Sequence, residues 1–308
     1  MRAQLAIAWL ASTGVLAAPA AAEVVTGSSG ASAAIQFWSG PGLGKRSIVG
    51  AEPVCTSEWC PKRFEIHGWE VFLSPTVDPH RNGVLERSYD RIGRAMDHLA
   101  AALLSLDHGH VGDEVNYHLR DRIPFYIADY GDPDYHSSEH DPWWPCQVPS
   151  PDKPSSKACY RADTQVIGIT LGRLAGGPSH YTVMHELAHA YHDLVVEDGF
   201  NNRCVARAYE LSMAAGKLEN VPVFGPAPTP EIVLRPTYAS SNHREFFAEI
   251  TGWFAGTSWR YPSNAHQLWE HSPMMYQLAW EQWIGERVFF FNDTATTEKC
   301  LAFIEGLR

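Results

Sequence analysis

His185-Glu186-Leu187-Ala188-His189 is the stretch from which the rest of the chain is best read. Histidines four residues apart share one face of an α-helix, one turn apart. Both imidazoles can then reach a single tetrahedral Zn2+ at about 2.0–2.1 Å. Glu186 lies about 100° round such a helix, beside the metal but outside its ligand set. There it can accept a proton from zinc-bound water, whose pKa the metal lowers towards about 7. Gly176-Gly177-Pro178 followed by Ser179 predicts that this helix starts near 179 and runs to about 196. Val183, Leu187, Ala188 and Leu194 make it amphipathic. The same five letters also occur by chance on ordinary helices with surface histidines, and the helical context is what favours zinc.

His192 continues the same face. Three consecutive turns of a straight helix spread over about 10 Å, too far for one ion. A metzincin pattern would place Gly at 192 and His at 195, where this chain has His192 and Val195. His192 is therefore expected to pack, or to support a ligand, and a third ligand must come from elsewhere. Glu245 and Glu249, in Arg244-Glu245-Phe246-Phe247-Ala248-Glu249, are also four apart. One can bind zinc while the other holds a ligand histidine by its second nitrogen. Glu210 is a further candidate. Asn242-His243-Arg244-Glu245 also has capping-box spacing, by which Glu245 would merely cap its own helix.

Around these motifs the pattern predicts an α+β fold with one catalytic domain, 61–288. Residues 64–73 alternate between Pro61 and Pro75 and read as a strand. Residues 84–106 carry apolar positions at helical spacing and read as a long helix. Residues 123–128 and 165–171 are short β-branched runs, separated by a Pro-, Asp- and Trp-rich loop, 129–164. Helices are expected over 202–215 and 242–256, with a Pro-rich connection at 221–236 and helical patterns continuing to about 284. Asn292 to Glu298 resembles the translation of a DNA-sequencing adapter, which leaves the tail 289–308 of doubtful authenticity, along with the Asn292-Asp293-Thr294 sequon and any pairing of Cys300.

The ends and the composition bear on location. Arg2, the apolar run Leu5 to Leu16 and Ala20-Ala21-Ala22 have the parts of a secretory signal peptide over 1–22. Residues 23–60 read as a loose N-terminal segment. A secreted or periplasmic protein, with no membrane attachment after signal removal, is expected. Six cysteines, with no C-x-x-C among them, suit disulfides better than a zinc cluster. Nearness favours Cys55 with Cys60 and Cys146 with Cys159. A net charge of −11 without a basic run makes nucleic acid and anionic lipid poor partners.

With His185 to His189 followed by Tyr238-Ala239-Ser240-Ser241-Asn242-His243-Arg244-Glu245-Phe246-Phe247-Ala248-Glu249, the chain resembles the anthrax lethal factor-like zinc metallopeptidases. These are gluzincins, with a zincin-like fold. The resemblance is confined to these two motifs. It implies one Zn2+ held by His185, His189 and Glu245, Glu186 as general base, Glu249 supporting a ligand, and Tyr238 as transition-state stabiliser. A phenol there can donate a hydrogen bond to the oxyanion of a tetrahedral intermediate. The substrate it implies is a peptide or protein. The alternative is a non-catalytic, zinc-stabilised secreted binding protein. A carbohydrate-active hydrolase using the acidic loop 129–141 is a weaker alternative, since those carboxylates read better as a solvated loop.

Overall fold

The alternation between residues 64 and 73 folds as a hairpin rather than as one strand. The computed structural model of the chain describes residues 61–74, 77, 85–107, 109–128, 145–146, 158–176, 179–224, 232–284 and 294–306. Strands β1 (Lys62–Ile66) and β2 (Trp69–Leu73) pair antiparallel. Between them His67 and Gly68 both have positive φ, 49° and 78°. That is the backbone of a type I′ turn, whose twist matches that of the strands it joins. With His in place of the usual Asn or Asp, alternation alone does not reveal the break.

Strand β2 enters a five-stranded sheet. It runs parallel to β3 (Phe125–Ala128), which runs parallel to β5 (Val166–Thr170). Strand β4 (Ala158–Arg161) pairs antiparallel with β5 and forms the edge, giving the order β1-β2-β3-β5-β4. Every residue of β3 and β5 is buried, as expected for central strands of continuous apolar sequence. The edge strand falls inside the stretch expected to be loop, because Ala-Cys-Tyr-Arg is too short and too mixed to register as a period. Its neighbour in the loop, Cys146, pairs with Cys159 at a Cα–Cα separation of 5.6 Å.

Helix α1 (Leu85–Ser105) lays Ala95, Leu99, Ala102 and Leu103 into the core, the stripe that its periodicity predicts. Helix α2 (His110–Leu119) was not legible, since its buried positions Val111, Val115 and Leu119 stand among polar residues. Helix α3 (Leu171–Gly176) follows β5 directly. Helix α4 (Ser179–Leu194) carries the paired histidines and packs against α1, α2, α3 and β4. Val183, Met184, Leu187, Ala190 and Tyr191 are all buried, and each large apolar side chain stabilises the placement of α4 by about 1.5–3 kcal/mol.

Helix α5 (Arg203–Ala214) is capped by Asn202, whose side chain accepts from the Val205 amide. The Pro-rich connection contains a separate hairpin, β6 (Val221–Phe224) with β7 (Ile232–Arg235). Helix α6 (His243–Phe254) packs along α4 and is followed by α7 (Ala265–His271) and α8 (Pro273–Trp283). In the tail, α9 (Thr294–Gly306) packs on α5, with Cys300 and Ile304 fully buried and Cys300 paired with Cys204 at a Cα–Cα separation of 5.8 Å. The described residues are thus mixed α+β. Among them no helix is long and apolar enough to cross a membrane. The leader 1–22, the segment 23–60 with Cys55 and Cys60, and the acidic loop 129–141 lie outside the described residues.

Candidate metal centre

The position of Glu245 follows from how α6 begins. Asn242 is the cap, its side chain accepting from the amides of Arg244 and Glu245. Two of the first-turn amides are thereby satisfied by Asn242, while the Glu245 carboxylate is directed across to α4. Glu245 Oε2 lies 3.0 Å from His185 Nε2 and 3.1 Å from His189 Nε2, and the two Nε2 atoms are 3.1 Å apart. His185 and His189 are nearly buried, at 7% and 8% exposure. This is the group among the described residues whose donor atoms can hold a metal ion. Two imidazole nitrogens and a carboxylate oxygen aimed at one point form a donor set that suits zinc. Tetrahedral zinc would separate its ligand atoms by roughly 3.3 Å, close to the observed spacing.

Supporting groups surround the trio. Glu249 Oε1 lies 3.3 Å from His185 Nδ1, at ion-pair distance behind the ligand nitrogen. The Tyr181 hydroxyl donates to the same carboxylate oxygen. Burial opposes protonation of His185, but Glu245 and Glu249 outweigh it and raise its pKa to about 10. A metal ion bound there would compete with that proton. Glu210 is not among these groups: it lies on α5 and pairs with Arg207.

Glu186 is 6% exposed and lines the cleft beside the trio. Burial raises its pKa against the opposing influence of His185, His189 and the nearby Tyr160 backbone. Tyr160 is itself fixed, its hydroxyl donating to Asp193 Oδ2 at 2.8 Å. Tyr238 stands at the start of the turn that leads into α6 and is 56% exposed. Its hydroxyl donates to Glu245 Oε1 at 3.2 Å. Burial, together with the Glu245 charge, pushes its pKa up to about 12, so at neutral pH it is a hydrogen-bond donor.

His192 points elsewhere. Its ring is fully buried, with centroids 4.5 Å from Phe247 and 5.3 Å from Phe200. Neither ring nitrogen has a partner among the described residues. Burial, with His189, His243 and Arg244 adding to it, holds its pKa well below the ordinary histidine range.

The site opens into a cleft of about 860 Å³, lined by β4, the first half of α4, the start of α6 and residues 259–260. Sequence reasoning missed Tyr181 and Tyr160. Tyr181 was legible in principle, since it precedes His185 by four and so shares its helix face. Tyr160 was not, because its role depends on an edge strand that the local pattern does not reveal. No protein-family model matches the chain and no curated protein sequence matches it, so the site's meaning rests on its own geometry.

Proposed function

We propose that the chain is a zinc-dependent metallopeptidase of gluzincin type, acting in a secreted or periplasmic setting on peptide or protein substrates. The observation that carries this reading is the position of Glu186: a buried carboxylate beside the three converging donors His185, His189 and Glu245, yet not one of them. A site serving structure alone has no use for such a base and usually closes with four protein ligands. Here three are present among the described residues and the remaining side faces a cleft. That weighs against the non-catalytic binding protein.

A zinc ion held by the trio supplies Lewis acidity, polarising the scissile carbonyl and acidifying water. Glu186, made more basic by its burial, takes the proton of the attacking water and later delivers it to the leaving amine. Tyr238 keeps its proton near neutrality and offers it to the oxygen on which charge develops. Glu249, held by Tyr181, orients His185 through its second nitrogen. The location is supported by the leader-like start and the Cys146–Cys159 pair.

The test is a mass-spectrometric digest of a mixed peptide library by the zinc-loaded protein beside its Glu186→Gln variant. Cleavage by the first, reduced at least about 10³-fold in a variant that still binds zinc, is the expected result. Equal cleavage by both would remove Glu186 from the mechanism. No cleavage by either, with zinc bound, would return the site to the binding-protein reading.

A further inference from the structure

The charge of the chain and the charge of its cleft have opposite tendencies. The whole sequence carries −11, yet Arg161, Arg173, Arg244 and Arg260 all line the cleft. Against them stand three carboxylates, Asp163, Glu186 and Glu245. Asp163 is engaged by Arg161 at 2.6 and 2.8 Å, while Glu186 and Glu245 face the metal position. Arg173 and Arg260 have no carboxylate partner among the described residues.

These two arginines line the same cleft. Arg173 reaches Thr182 in the first turn of α4, and Thr257, three residues before Arg260, flanks Gly252 together with Tyr181 of that turn. Arg173 uses Nε to donate to Thr182 Oγ1 at 2.9 Å, which fixes the guanidinium plane and leaves its terminal nitrogens to other partners. Arg260 lies over the ring of Trp259, 4.4 Å from its centroid. Its backbone is held at both ends by the buried Ser258 side chain, which accepts from its amide and donates to its carbonyl. A guanidinium held flat by such contacts is prepared to meet a carboxylate in bidentate fashion. Positive charge lining a cleft concentrates a field that attracts an anion.

We propose that Arg173 and Arg260 form a carboxylate-recognition subsite that directs the cleft to peptides carrying an anionic group on the side of α4's first turn. The carboxylate comes either from an Asp or Glu side chain or from the peptide's own C-terminus. The second source would make the enzyme a carboxypeptidase. The inference deepens the peptidase reading and rests on it for the nature of the ligand.

The experiment uses three random decapeptide libraries passed over immobilised, zinc-loaded Glu186→Gln protein, with retained peptides counted by mass spectrometry. The first library has amidated C-termini and no acidic residues. The second is amidated but contains Asp and Glu. The third has free C-termini and no acidic residues. The second or the third should be retained about tenfold above the first, less so at high salt, and which of the two identifies the source. The preference should vanish in Arg173→Gln/Arg260→Gln and persist in Arg63→Gln, whose arginine pairs with Glu70 on the hairpin. If the double variant fails to fold, Arg260→Gln alone, at an exposed position, should reduce the preference several-fold. Equal retention of all three libraries, no retention of any, or a preference that survives loss of both arginines would overturn the inference. Wild-type cleavage of the first library as fast as the others would leave a peptidase without this subsite. Arginine-dependent retention without cleavage by the wild-type protein would leave the subsite without a peptidase.

Discussion

Helix α4 carries two kinds of histidine within eight residues. His185 and His189 meet Glu245 and Glu249 across the α6 contact. His192 meets the face of Phe247 and the edge of Phe200. The residue type is the same and so is the helix face. What differs is the partner that α6 presents, acidic at positions 245 and 249 and aromatic at 247. The capacity to hold a metal ion therefore belongs to the pair of helices, and a histidine read on its own helix does not disclose it.

The comparison can be broken most sharply at the acidic positions. Glu245→Ala should lower zinc affinity at least about 10³-fold, and Glu249→Ala only about 10–100-fold, as measured by competition with a chromophoric chelator. The reverse order would exchange the two roles. Tyr238→Phe should leave zinc content intact and lower kcat about 10–100-fold with little change in KM. A change confined to KM would make Tyr238 a substrate contact with no part in the chemistry. The smallest effect is expected at the apolar end. His192→Leu should retain zinc and keep kcat/KM within about twofold, while raising Tm by about 2–4 °C as a buried ring with unpaired nitrogens is replaced by hydrocarbon. Zinc loss in that variant would make His192 a ligand and erase the distinction.

The parts of the fold that are continuous in sequence were legible. Residues 179–196, 202–215 and 242–256 overlie α4, α5 and α6 closely, because caps and apolar spacing agree there. Short elements whose existence depends on neighbours were not. Strand β4 acquires its identity from pairing with β5, and the β1–β2 turn from two positive φ angles. At the site, Glu245 was ambiguous for a physical reason, since the spacing that could bring it to the metal could also make it a cap. The structure separates the two roles by turning both Glu245 oxygens away from its own helix start, Oε2 towards His185 and His189 and Oε1 to the Tyr238 hydroxyl. The arginines of the cleft come from three elements and the loop before α7, and share no local pattern.

The trio also has a consequence for the chain as a polymer. His189 and Glu245 are 56 residues apart in sequence, and α5 with the β6–β7 hairpin lies between them. An ion joining them acts as a cross-link that closes this loop and removes configurational freedom from the unfolded ensemble. For a loop of that length the chain-entropy estimate is about 4 kcal/mol, a large share of the stability of an ordinary domain. A chelator should therefore do more than stop turnover: it should loosen the closure between the two helices and expose the intervening segment to unfolding.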